Sequence, residues 1–259
     1  MTLHVETLGA GPPLVLLHGW AMHSGLWSGL LPALAAKHRV YCVDLPGHGH
    51  SRALPASDLA AYVAAVDGAL AAVEGPLTVL GWSLGGVVAQ AWAHASPRRV
   101  GRIILLASTP RFLADEAWPW AMAPEVLAGF AQDLRDNYRH TLQRFLHLQV
   151  QGTADGRQVL AQLRHHFLAR GEPAPEVLDE GLSLLATVDL RAQTSTLSQP
   201  VLVIAGERDT LTPLGASRWL AEHLPQGRLL HLRGAAHAPQ LSHAPEFLAG
   251  VLHFTHGHA

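Results

Sequence analysis

The sequence predicts an α/β fold in which a mostly parallel central sheet is flanked by helices and interrupted once by a helical insertion. Three observations predict it. Apolar runs of strand length recur along the chain. They are near-continuous in Val, Ile and Leu rather than alternating, as strands covered on both faces require. Helical segments lie between them, so consecutive strands run parallel through right-handed crossovers. One stretch, from about Arg111 to Leu190, carries helical patterns and no strand-like run.

In chain order the strand-like runs are PLVLLHG (13–19), RVYCVDL (39–45), LTVLGW (77–82), GRIILLAS (101–108), PVLVIAGERD (200–209) and GRLLHLRG (227–234). Between the second and third, SDLAAYVAAVDGALAAV opens on Ser57 and Asp58, both suited to capping a helix N-terminus. SLGGVVAQAWAHA follows the third strand as a helix and stops at Pro97. Pro110, Pro119 and Pro124 punctuate the start of the insertion, which includes the helical run PEVLAGFAQDLRDNYRHTLQRFLHLQ. There Leu134, Tyr138, Leu142 and Phe145 form one apolar stripe, with His140, Arg144 and His147 on the opposite face. The core is expected over residues 1–110 and 191–259. Residues 111–190 read as a lid over the C-terminal edge of the sheet, where open α/β sheets bind ligands.

Composition narrows the classes of function. A chain of 259 residues, 49% hydrophobic and 15% charged, buries a large core and is not disordered. A net charge of −2 argues against nucleic acid as the main partner. The single cysteine, Cys42, excludes an internal disulfide and reads as a buried apolar residue. MTLHVETLGAG carries no signal-peptide pattern, and no apolar run reaches membrane-spanning length, so a cytoplasmic protein is expected. Lys37 is the only lysine, which reads as compositional bias. The ending HFTHGHA reads as a frayed tail rather than a metal site, having no Cys or carboxylate beside its histidines.

The chemistry is carried by LGWSLGGVVA (80–89). A chain with 24 glycines meets G-x-S-x-G by accident about 0.1 times, so the flanks decide. Here a strand ends and a helix begins, which puts Ser83 on a tight turn that forces a strained backbone and presents the hydroxyl. Gly81 and Gly85 leave room across that bend. The competing reading is a serine that merely caps the helix. A nucleophilic serine needs a base, and the base an orienting carboxylate, in the chain order Ser, acid, His. Asp209 ends one strand-like run, and His237 lies in a loop after the last. Glu207 would point the other way, His231 lies within a strand, and His243 starts the final helix. The N–H groups of Trp20, after LLHG, and of Leu84 are the candidate oxyanion donors. His18 reads as structural, holding its loop through a backbone hydrogen bond.

The motifs LLHGW, DLPGHGHS, GWSLGG, GERD and GAAHAP, in this order, resemble the α/β hydrolases. More narrowly, VLLHGWAMHSGLW, EAWPW, VLAGF, RFLHLQVQGT, LLATVDLR and AAHAPQLSHAPEF resemble the pimeloyl-(acyl-carrier protein) methyl ester esterases of biotin synthesis. The resemblance implies an α/β-hydrolase fold with the lid inserted after the sixth strand. It implies a triad of Ser83, Asp209 and His237, with Trp20 and Leu84 lining the acyl site. Phe145, Leu146, His147, Leu148 and Gln149 would contact the substrate chain. The carrier protein would dock on lid arginines matched here by Arg144 and Arg157, while His140 and Ala161 stand where the family has arginine. The expected activity is a serine carboxylesterase of the cytoplasm, a monomer without metal or organic cofactor. The alternatives are a general short-chain esterase or C–C bond hydrolase of this fold, and a small-molecule receptor that retains the triad.

Overall fold

Seven strands form one sheet in the order β1-β3-β2-β4-β5-β6-β7 in the computed structural model, which describes residues 3–54 and 58–257. They are β1 (Val5–Leu8), β2 (Pro13–Leu17), β3 (Arg39–Val43), β4 (Leu77–Trp82), β5 (Val100–Leu106), β6 (Val201–Gly206) and β7 (Gly227–Leu232). Six coincide with the apolar runs. β4 and β6 are buried along their whole length, as their uninterrupted hydrophobicity requires. The strand without an apolar signal is β1, a short and mostly exposed VETL that pairs antiparallel with β3 at the sheet edge. All other pairs are parallel.

Eleven α-helices are present among the described residues. The core carries α1 (Leu31–Ala35), α2 (Leu59–Ala69) and α3 (Leu84–Ala95) before the insertion. After it come α8 (Arg191–Thr194), α9 (Leu214–His223), α10 (Pro239–Ser242) and α11 (Ala244–His256). Asp58 caps α2 by accepting from the Ala61 N–H at 2.7 Å, while Ser57 and the end of the HFTHGHA tail lie outside the described residues. Between β5 and β6 run α4 (Pro124–Asp136), α5 (Tyr138–Leu148), α6 (Gly156–Leu168) and α7 (Pro175–Thr187).

Two expectations change here. The insertion follows the fifth strand in chain order, not the sixth, because a single strand, β1, precedes β2 at the antiparallel edge. The helical run at 124–149 is two helices, broken at Asn137, whose φ of −148° and ψ of 66° leave the helical region. The stripe Leu134, Tyr138, Leu142, Phe145 therefore spans two elements that pack together rather than one continuous face.

The order of strands builds the site. The chain runs outward from β2 to β3, then crosses back to β4 on the other side of β2. At this reversal the C-terminal ends of β2 and β4 lie side by side, with Leu17 opposite Gly81. Whatever follows Leu17 therefore faces whatever follows Trp82.

Candidate active site

Ser83 follows β4 with φ 53° and ψ −115°, a left-handed backbone that a non-glycine residue adopts only under constraint. Its hydroxyl makes no capping hydrogen bond to α3, so the reading of a helix-capping serine fails. The strain is held by close packing. A Cβ on Gly81 would come within 2.5 Å of Gly86 N across the bend. One on Gly85 would come within 2.6 Å of the His18 carbonyl. Gly85 thus makes room for the end of β2, not for the bend itself.

Asp209 lies after β6 and His237 after β7. The imidazole Nδ1 stands 2.8 Å from Asp209 Oδ2, and both side chains are buried. Asp209 Oδ1 accepts from the backbone N–H groups of Leu211 and Thr212, both at 2.9 Å, and Oδ2 from the Thr212 hydroxyl at 2.6 Å. Both carboxylate oxygens are acceptors in these contacts, so Nδ1 is the ring nitrogen that donates to Asp209 and Nε2 is left for other partners. The His237 backbone is fixed too. Its N–H donates to the Gln149 carbonyl at 3.1 Å, and its carbonyl accepts from the Trp82 indole at 2.8 Å. Glu207, by contrast, is exposed and accepts from the Gly234 N–H, on the other side of the loop.

Ser83 and His237 line one cavity of about 260 Å³, walled by Trp20, Phe130, Phe145, Leu148 and Leu182. Trp20 packs edge-on against Phe145 and Phe130, with ring centroids at 4.8 and 5.8 Å. Its indole N–H donates to the Leu178 carbonyl of α7 at 3.0 Å. Gly181 permits that approach, since a Cβ there would meet the indole ring. At the cavity mouth Arg144 pairs with Asp133 at 2.7 Å, with Glu125 nearby on the lining. His18 is a buried backbone clamp: Nδ1 donates to the Gly19 carbonyl and Nε2 accepts from the Leu45 N–H. Burial holds its pKa down at about 3, so the ring is neutral. The same desolvation pushes the Cys42 thiol up to about 12, in keeping with an apolar role.

The family of the alpha/beta hydrolase fold matches residues 12–244. A pimeloyl-(acyl-carrier protein) methyl ester esterase from Nitrosomonas europaea is 45% identical, over 96% of this chain and 97% of its own. The chain belongs to the pimeloyl-(acyl-carrier protein) methyl ester esterase family. A second member, from Chromobacterium violaceum, is 43% identical over 97% of both chains. Among solved structures, an esterase from Exiguobacterium antarcticum superposes with a TM-score of 0.90 over 97% of this chain and 94% of its own; at 19% identity that likeness bears on the fold alone.

Set against what the esterase family implies, residues 145–149 divide by helical phase. Phe145 and Leu148, three apart, line the cavity. Leu146 is buried against the α6 side, next to Arg164 and Phe167, and His147 is exposed with Nδ1 on the Gln143 carbonyl. Gln149 touches the site through its backbone, on His237. Most arginines of the insertion are held in ion pairs. Arg135 pairs with Asp179, Arg139 with Glu172, Arg144 with Asp133, and Arg170 with Asp44 and Glu6. Among the described residues, Arg157 is exposed without an ion pair, and His140 is exposed on α5. No helix among those residues is long and apolar enough to cross a membrane.

Proposed function

We propose that this chain is a serine carboxylesterase that cleaves the methyl ester of a pimeloyl chain carried on acyl carrier protein, giving the free carboxylate and methanol. The observation that carries the reading is the 45% identity to a pimeloyl-(acyl-carrier protein) methyl ester esterase over 96% of the chain, a span that takes in the insertion as well as the sheet. The site is chemically apt. The mainly apolar wall suits an aliphatic chain, with Ser83 and His237 at the reacting end and Glu125, Asp133 and Arg144 at the mouth.

In the proposed reaction Ser83 Oγ attacks the ester carbonyl while His237 Nε2 takes its proton. The carbonyl oxygen becomes an oxyanion held by the N–H groups of Trp20 and Leu84, the latter a first-turn donor of α3 without an intrahelical acceptor. The tetrahedral intermediate expels methoxide, which takes the proton from His237 and leaves as methanol. Water then attacks the acyl-enzyme, with His237 accepting its proton. Collapse breaks the acyl–Oγ bond and returns that proton to Ser83. Asp209 holds the imidazole in the required tautomer and stabilises its cation. Residues 111–190 act as the lid, and Phe145 and Leu148 face the acyl chain.

Docking of the acidic carrier falls to exposed side chains of the lid, Arg157 and His140, with Arg144 at the cavity mouth. Arg157→Glu tests this without touching the cavity. It should lower kcat/KM for the carrier-bound ester several-fold at low salt, and less at high salt, because exposed charges act through steering. A small neutral ester should be unaffected. Equal losses on both substrates would mean that Arg157 holds the lid together.

A further inference from the structure

Both peptide groups that carry the proposed oxyanion donors are held from behind. In a trans peptide the C=O and the following N–H point in opposite directions within one plane. Fixing the Gly19 carbonyl therefore aims the Trp20 N–H, and fixing the Ser83 carbonyl aims the Leu84 N–H. The Gly19 carbonyl accepts from His18 Nδ1 at 2.8 Å, and the Ser83 carbonyl from the Ser108 hydroxyl at 2.8 Å. Both donors are completely buried. Helix α3 supplies the Ser83 carbonyl with the Gly86 and Val87 N–H groups at 2.9 and 3.3 Å, but Ser108 reaches it from a different element.

That reach is built into the fold. β5 lies beside β4 with Leu106 opposite Trp82, and the chain then turns at Ala107, a non-glycine residue at φ 42°. The Ala107 N–H is tied to the Ile204 carbonyl at 2.8 Å, which holds the turn that presents Ser108. Across the gap, a Cβ on Gly86 would lie 2.5 Å from the Ser108 Cβ and closer still to its hydroxyl oxygen, so only glycine admits the hydroxyl. The third glycine of GWSLGG, Gly86, thus has a purpose that G-x-S-x-G does not specify. Ala107 and Ser83 are two of the three non-glycine residues with positive φ among those described, and the third is Ala21, next to Trp20. The backbone strain collects around the oxyanion donors.

We infer that Ser108 is a positioning residue for ester cleavage: its hydroxyl clamps the Ser83–Leu84 peptide so that the Leu84 N–H meets the developing oxyanion. The inference rests on the esterase reading above. A hydrogen bond to the carbonyl also polarises the peptide and strengthens its N–H as a donor. Such an effect grows with charge on the substrate oxygen, so it acts on the transition state more than on the bound ester.

Ser108→Ala removes the hydroxyl and leaves the space open. On a p-nitrophenyl ester kcat should fall about tenfold, less than the 10²–10³ typical of deleting a donor outright, with KM within about twofold. An alkyl trifluoromethyl ketone, whose serine adduct places an oxyanion in the same position, should bind more weakly by the same factor as kcat. Ser108→Cys, a similar shape with a weaker donor, should fall between and keep that proportion. Unchanged kcat and ketone affinity would overturn the inference, as would a kcat loss with ketone affinity intact. A wild-type protein no more active than Ser83→Ala would instead overturn the esterase reading itself.

Discussion

At the scale of single residues, the account turns on which carboxylate serves His237. Asp209→Asn keeps the shape but favours the wrong imidazole tautomer, and kcat should drop by a factor on the order of 10⁴, as in the serine proteases. Glu207→Gln should change it by less than about twofold, because Glu207 is exposed and engaged with Gly234. Steady-state kinetics on a p-nitrophenyl ester checks both, and a Glu207 effect larger than that of Asp209 would reverse the assignment. These positions were legible in the sequence because strand ends mark them: Ser83 after LTVLGW, Asp209 after VLVIAG, His237 in a loop past the last strand. Ser108 was not legible. A serine at the end of an apolar run has no local signature, and its partner is 25 positions away across a sheet register.

At the scale of elements, propensity and packing part company in the insertion. The run at 124–149 reads as one amphipathic helix, yet Asn137 leaves the helical region and lets α5 turn back against α4. Periodicity alone could not show this, since the apolar spacing continues across the break. The edge strand β1 was missed for the opposite reason: four residues, three of them exposed, leave no apolar pattern. Tertiary anchoring of the insertion was also out of reach. Arg170, just past the end of the insertion's third helix, bridges to the fully buried Asp44 at 3.0 Å and to the Ser24 hydroxyl at 2.9 Å. Arg170→Ala should cost about 3 kcal/mol in urea unfolding, because it strips the cation from a buried carboxylate. Arg139→Ala should cost less than about 0.5 kcal/mol, since its partner lies 3.8 Å away on an exposed surface. Similar values for the two would mean that the Asp44 bridge anchors nothing.

At the scale of the whole molecule, the loops above the sheet are cross-braced by neutral imidazoles. His18 is held at a pKa of about 3 and His48 at about 4, in both cases chiefly by burial. The unfolded chain takes up these protons near pH 6.5, the folded chain only near 3 to 4. Between those limits the unfolded state binds more protons, so stability falls as pH falls. It should be fully present above about pH 6.5, decline down to about pH 3 and then level with respect to these two groups. Thermal unfolding midpoints across that range check it, and a flat profile would contradict the burial of neutral rings. The central claim concerns the substrate. The most direct measurement is mass spectrometry of acyl carrier protein bearing the pimeloyl methyl ester, before and after incubation with the enzyme, with methanol assayed alongside. The account predicts a carrier lighter by one CH₂ unit, its thioester intact, one methanol per carrier, and neither change with Ser83→Ala. An unaltered carrier in the presence of enzyme that hydrolyses small esters, or cleavage at the thioester instead, would contradict it.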